Sequence, residues 1–170
     1  MYNFHNPADF EQMYHDYFPK IYNHVFYRLL HKEQTEDVVS NIFLKVSENI
    51  LRFDSQKASF NTWIFTIAKN TLTDFYRLRR TQISIDDTES SFELHSDSLD
   101  EESKLIGEDE LRELYKALAA LDGRTREVIS LKYFGEFKNR EIAKQTGINE
   151  STVATICLRG LERLRKVFEI

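Results

Sequence analysis

A single cysteine, Cys157, leaves the chain unable to form an internal disulfide, which fits a reducing compartment. Two prolines and five glycines in 170 residues are few. So few turn formers argue against a strand-and-turn architecture and for helices. No run of apolar residues approaches the 18 or so that a membrane span needs, so none is expected. The opening, MYNFHNPADF, has neither a basic head nor an apolar stretch. No export signal is therefore expected, and the expected location is the cytoplasm. Four of the five histidines, His5, His15, His24 and His31, fall early in the chain. Their spacing gives no pair one helical turn apart and no cysteines accompany them, so no metal site is expected. Neither a glycine-rich phosphate loop nor a nucleophile–base signature is present. The expectation is a protein that is not an enzyme and holds no cofactor.

What is abundant is charge, unevenly placed. Residues 1–80 carry 10 Lys/Arg and 9 Asp/Glu, residues 81–110 carry 1 and 11, and residues 111–170 carry 12 and 8. The formal net charge of −5 thus belongs to one segment, between a near-neutral first half and a mildly basic second half. The acidic stretch TQISIDDTESSFELHSDSLDEES, 81–103, has few large apolar residues and no sustained period. It reads as a flexible linker, either a solvated spacer or a mimic of nucleic acid lying in a basic channel of a partner. The expected fold is all-α: a helical domain at 1–80, the linker at 81–103, and a second helical domain at 104–170.

Helical periodicity supports this on both sides. Phe10, Tyr14, Tyr17/Phe18, Ile21, Val25 and Leu29 recur at steps of three and four, as do Val38/Val39, Ile42/Phe43, Val46 and Ile50. Phe60, Ile64, Ile67/Ala68, Leu72, Phe75 and Leu78 form a third stripe, with Ser59 a fitting N-cap. After the linker, Leu105, Leu111, Leu114, Leu118 and Leu121 mark a fourth helix, and Val128, Ile129, Leu131 and Tyr133 a fifth from about Thr125.

The stretch REIAKQTGINESTVATI, 140–156, has the pattern of a helix-turn-helix within helices at about 138–146 and 150–168. Gly147 suits a left-handed turn, Ala143 lets two helices approach, and Ile142, Ile148 and Val153 supply a shared core. Asn149 can cap the second helix, whose first turn would enter a major groove. Ser151, Thr152, Thr155 and Arg159 can contact bases or phosphates from it, and Lys138, Arg140 and Lys144 would flank the backbone. The plainer alternative is an ordinary helical hairpin, with Cys157 a packing residue.

In SFNTWIFTIAKNTLTDFYRLRR, 59–80, Thr62, Thr66, Lys69, Asn70, Thr73, Arg77 and Arg80 share a polar and basic side. Rings, amides and cations together suit single-stranded nucleic acid. The competing reading makes Phe60 and Trp63 core and the cations a solvated face.

Three stretches together resemble the bacterial extracytoplasmic-function (ECF) sigma factors, the small promoter-recognition subunits of RNA polymerase. They are TEDVVSNIFLKV, FDSQKASFNTWIFTIAKNTLTDFYR and ALDGRTREVISLKYFGEFKNREIAKQTGINESTVATICLRGLERLR. The resemblance runs from about Asp9 to Arg165 and implies a division of labour. Asp37, Val38, Ile42 and Phe43 would lie on a helix that docks on the core polymerase. The loop from Arg52 to Phe60, with Phe53 and Asn70, would capture a base flipped from the −10 strand, with Trp63 beside it. Lys69, Arg77 and Arg80 would hold phosphates. The helix from Glu150 would read the −35 element, and the acidic linker would thread the polymerase's nucleic-acid channel. Promoter DNA, core polymerase and an anti-sigma factor are the implied partners. Ser40 and Asn41 stand where the family often has Gln-Glu, and Ala154 and Ile156 where it often has cations. Two other classes remain beside this reading: an independent helix-turn-helix regulator, and a helical adaptor that binds only protein.

Overall fold

The computed structural model describes residues 2, 4, 6–83 and 108–167, and all regular structure among them is helical. Most of the acidic stretch, residues 84–107, lies outside the described residues, as do Phe168 and the last two positions. The chain divides into two compact units: Met1–Val25 with Glu33–Glu93, and Phe26–Lys32 with Leu94–Ile170.

The first unit is built on α1 (Pro7–Leu29) as far as Val25, α2 (Lys32–Asn49) from Glu33 and α3 (Phe60–Ile83), with a 3-10 turn at Ile50–Arg52; the last turn of α1 belongs to the second unit. Pro7 opens α1, where its missing amide costs nothing, and the Asn6 side chain accepts from Ala8 N at 3.2 Å. Pro19 lies inside α1 and withdraws one amide from its ladder. Burial carries the helix through: Met13, Ile21 and Val25 are fully buried. α2 contributes Val38, Val39, Ile42, Phe43 and Val46 to this core, and α3 contributes Ile64, Phe65, Ala68 and Leu72. Ser59 caps α3 as expected, its Oγ accepting from Thr62 N at 3.1 Å. The expected stripe on α3 departs from the structure at its end. Leu78 is 67% exposed, while its neighbour Arg79 donates to Gln34 Oε1 of α2 at 3.3 Å.

The second unit contains α4 (Glu108–Ala119), α5 (Gly123–Tyr133), α6 (Asn139–Thr146) and α7 (Glu150–Val167). α7 packs against the other three. Leu30, Leu118, Leu121 and Ile129 form one buried cluster, edged by Tyr27, Leu114, Tyr115 and Leu164.

Asp122 caps α5: Oδ1 accepts from Thr125 N at 2.9 Å and Oδ2 from Thr125 Oγ1 at 2.7 Å. The Thr125 hydroxyl first, and its amide second, hold the Asp122 carboxyl below the ordinary carboxylate range. A carboxyl lowered on folding stabilises fully above its unfolded pKa, and loses that contribution as pH falls through the folded one. Asp122→Ala is expected to cost about 1 kcal/mol at neutral pH, the usual worth of an N-cap. Asp122→Asn keeps an acceptor for Thr125 N and should retain most of the neutral-pH stability while losing the acid dependence. Urea unfolding of the three proteins between pH 3 and pH 7 measures both. Equal acid dependence in all three would show that the cap is not what titrates.

Candidate nucleic-acid interface

Two places carry the residues singled out by sequence, one in each unit. In the first, a cavity of about 340 Å³ is lined by Lys45, Asn49, Arg52, Trp63, Ile67 and Asn70. α3 supplies Trp63, Ile67 and Asn70, at steps of four and three that put them on one face. α2 supplies Lys45 and Asn49, also one turn apart, and the 3-10 turn supplies Arg52. The structure thus brings Trp63 and Asn70 together with Arg52 at the root of the loop. It adds Lys45 and Asn49, which sequence reading missed. Their signal was an i, i+4 pair of polar residues beside the buried stripe of α2, legible only once α2 was known to pack on α3.

The cavity's polar groups are partly committed. Lys45 Nζ donates to Thr71 Oγ1 at 3.2 Å and lies 3.6 Å from Asp74 Oδ2. Asn49 Nδ2 donates to Lys45 O at 2.8 Å. Lys69 and Asn70 are exposed. The Thr66 and Thr73 hydroxyls donate to the carbonyls of Thr62 and Lys69, at 2.7 Å and 2.9 Å, so toward a ligand they can only accept. Arg77 is exposed and lies 3.7 Å from Asp74. Arg80 lies on α3, but its side chain is outside the described residues.

The loop from Phe53 to Ser59 is held by an Asx turn. Asp54 Oδ1 accepts from Gln56 N at 2.9 Å, and Asp54 O accepts from Lys57 N at 3.1 Å. Phe53, Phe60 and Trp63 do not stand as bare stacking faces. Their ring centroids lie 5.3 to 5.4 Å apart in a mutual cluster. Phe60 further meets Tyr17 at 5.1 Å, Phe4 at 5.2 Å and Tyr2 at 5.7 Å. Tyr2 is tied down by its hydroxyl, which donates to Asp16 Oδ2 at 2.7 Å. Burial and then Asp16 push that phenol well above its ordinary value, so it stays a donor. Such clustered rings are worth about 0.5–1.5 kcal/mol per pair beyond burial, so the cluster sets the loop's shape.

The residues expected on a polymerase-docking face divide by burial. Val38, Ile42 and Phe43 are 2%, 0% and 8% exposed, and so face the unit's own core. Asp37 is exposed, in a row with Ser40, Asn41 and Leu44. Leu44 is 56% exposed, a large apolar side chain left in water.

In the second unit the turn between α6 and α7 is built as expected. Gly147 takes φ 74°, the left-handed region, and its amide closes α6 on Ala143 O at 2.9 Å. Ile142, Ile148 and Val153 are buried beneath it. Asn149 Oδ1 caps α7, accepting from Thr152 N and Ser151 Oγ, each at 2.8 Å. Ser151, Thr155 and Arg159 share an exposed face, and Thr152 is half-buried beside it. Thr155 Oγ1 donates to Ser151 O at 3.0 Å, which leaves its hydroxyl to accept. Glu150, Lys138 and Arg140 are exposed, and Glu141 Oε2 accepts from Lys138 N at 2.8 Å at the start of α6. Cys157 is buried and its thiol is pushed up by that burial, as suits a packing residue. Among the described residues, no cluster of three or more His, Cys, Asp or Glu side chains could hold a metal, and no helix is long and apolar enough to cross a membrane.

Residues 13–82 match the family model for sigma-70 region 2, and residues 111–164 match that for sigma-70 region 4. The chain is 28% identical over 165 residues to the ECF RNA polymerase sigma factor SigX of Bacillus subtilis, covering 95% of this chain and 84% of that one. It is also 28% identical over 159 residues to the ECF sigma factor RpoE of Cereibacter sphaeroides, covering 94% and 86%. Among solved structures, the sigma factor RpoE of Bartonella quintana, in complex with the anti-sigma factor NepR, matches the fold. Its TM-score is 0.72 at 22% identity, over 95% of this chain and 98% of that one.

Proposed function

Starting from a chain that belongs to the extracytoplasmic-function sigma factors of the sigma-70 family, and so directs RNA polymerase to start transcription at specific promoters, we propose which of its surfaces do the work. The observation that carries this reading is the cavity where Trp63 and Asn70 meet Arg52, Lys45 and Asn49. It receives one base flipped out of the −10 element. Extrusion costs a few kcal/mol, and a preformed cavity with donors and acceptors in place offsets that cost. Lys69, Arg77 and Arg80 hold the adjoining phosphates. Phe53 and Phe60 keep the loop in shape behind Trp63. In the second unit, Ser151, Thr152, Thr155 and Arg159 read the −35 element in the major groove, with Glu150 at the helix start. Lys138 and Arg140 fix the backbone, because phosphate contacts set register while base contacts specify. The polymerase performs the chemistry, and this chain contributes no catalytic group of its own. It works in the cytoplasm, and an anti-sigma factor holds it in check, as NepR binds its Bartonella relative.

Core polymerase docks on the exposed face of α2. Asp37, Asn41 and Leu44 make the contact there, while Val38, Ile42 and Phe43 hold the helix from within. Burying one leucine is worth about 1.5–3 kcal/mol. Leu44→Asp is therefore expected to weaken binding to core polymerase by at least about tenfold, with unchanged thermal unfolding of the free protein. Fluorescence anisotropy with labelled core measures this, and wild-type affinity in the variant would move the docking face elsewhere.

The test of the whole reading mixes the full chain, sigma-free core polymerase and a genomic promoter library. Start-specific transcripts that require the chain are expected. No transcript from any promoter, together with a shift of duplex DNA by the chain alone, would favour an independent helix-turn-helix regulator.

A further inference from the structure

Two residues that precede α1 reach the rings of the capture loop. Phe53 and Phe60 stand at the two ends of that loop and meet edge to face, with centroids 5.3 Å apart. Trp63, on the cavity wall, meets both at 5.4 Å. Phe4 meets the same two rings, Phe60 at 5.2 Å and Phe53 at 6.3 Å. The pair that joins the loop's ends is thus shared by Trp63 and Phe4. Tyr2 adds contacts with Phe4 at 5.6 Å and Phe60 at 5.7 Å. Its hydroxyl donates to Asp16 Oδ2 at 2.7 Å, and Gln12 Nε2 donates to Asp16 Oδ1 at 2.8 Å, so both carboxylate oxygens are engaged on α1. A ring laid on such a loop can stand in the place of a base, or it can brace the loop. Among the described residues, neither Tyr2 nor Phe4 lines the cavity, so a base can enter without displacing them.

We propose that Tyr2 and Phe4 are positioning residues for base capture: Phe4 braces the Phe53–Phe60 pair that sets Arg52 and Trp63 at the cavity, and the Tyr2–Asp16 bond ties this brace to α1. This deepens the sigma-factor reading and rests on it. Arg52 directly precedes Phe53, and Trp63 lies one turn from Phe60 on α3, so both cavity residues are coupled to the pair. Phe4, Phe53, Phe60 and Trp63 are each half-buried, so the core alone does not fix them. A cavity that must hold an extruded base gains from walls fixed in advance, because ordering them at the moment of capture would weaken it.

The test pairs a change in the protein with one in the DNA. On a promoter that the reconstituted enzyme uses, the captured position is the non-template base whose abasic replacement most reduces opening by wild-type holoenzyme. Phe4→Ala should lower opening of the intact promoter about three- to tenfold, the range that one or two ring contacts supply, without weakening core binding. On the abasic promoter the variant and wild type should open alike, within about twofold, because Phe4 acts through that base and the two changes do not add. Phe4→Tyr keeps the ring and should open the intact promoter as wild type does. Tyr2→Phe, which loses the bond to Asp16, should fall between, and adding Asp16→Ala to it should cost nothing more. Trp63 is the chain's only tryptophan, so acrylamide quenching of the free protein follows the ring cluster directly. Quenching should rise in Phe4→Ala; a melting curve shows whether that variant is folded, and Tyr2→Phe carries the same test if it is not. An equal loss on both promoters, or unchanged opening and quenching, removes Tyr2 and Phe4 from base capture. Faster opening by Phe4→Ala would make the segment a shield and overturn the inference. If wild-type holoenzyme opens no promoter, the sigma-factor reading itself fails, a result distinct from normal opening by every variant.

Discussion

Asn70→Ala is expected to lower promoter opening by about 10- to 100-fold while changing affinity for core polymerase less than twofold. Asn70 is exposed on α3 and lines the cavity with Trp63, two turns before it. Its amide offers both a donor and an acceptor, so it can pair with a base edge at two points. A good bidentate pair is worth about 1–3 kcal/mol, and each 1.4 kcal/mol is tenfold in an equilibrium. The loss falls on opening because a base stacked in duplex DNA does not meet the cavity. Only the extruded base does, so only the open state gains from Asn70. The proposed docking contact lies on another helix, at Asp37, Asn41 and Leu44 on α2, which Asn70→Ala leaves in place. Permanganate reactivity of the opened strand, read beside anisotropy with labelled core, separates the two effects. Parallel loss of core binding would remove Asn70 from the role of base capture.

What sequence could and could not show follows from how each signal arises. Local signals held. Ser59, Gly147 and Asn149 act through bonds to residues within four positions, so their identity implies their geometry. The helix-turn-helix core at Ile142, Ile148 and Val153 was legible for the same reason. Where the sequence was silent, the residue's partner lies far along the chain. The apolar period of Val38, Ile42 and Phe43 is a signal of burial, and they are buried in the unit's own core; the docking role came from the resemblance and not from that period. Leu44 lies off that period, and it is an apolar side chain of α2 left in water. The wall of the cavity was hidden because Lys45 and Asn49 come from α2 and the rest from α3 and the turn. For Phe60 and Trp63 the sequence left open a stacking role and a place in the core, because nothing local announces that Tyr2, Phe4 and Tyr17 close on Phe60.

Gly160 escaped notice for a related reason, and replacing it is expected to have the largest effect on stability. It lies inside α7, where glycine costs about 0.5–1 kcal/mol relative to alanine, so a glycine there needs a compensating contact. α5 provides one. A Cβ at position 160 would lie 2.6 Å from Ile129 Cδ1 and 2.8 Å from Thr125 Cγ2. Neither neighbour yields easily. Ile129 is 5% exposed in the core, and Thr125 is pinned through its hydroxyl and amide to Asp122. Turning Thr125 aside would break the cap of α5. Overpacking of this kind costs about 1–3 kcal/mol. Gly160→Val is expected near the upper end of that range. Gly160→Ala should cost about 1 kcal/mol, its crowding partly offset by better helix propensity. Small units bury little core and have little stability in reserve, so the valine variant should lose transcription from promoters that depend on a −35 element. Urea unfolding with hydrogen exchange across α5 and α7 measures the cost. Thr125→Ser removes the crowding methyl and keeps the capping hydroxyl, so combining it with Gly160→Ala should recover much of the loss. An alanine variant as stable as the parent, with no coupling to Thr125→Ser, would mean that α7 can move away from α5 and that the close approach is not required.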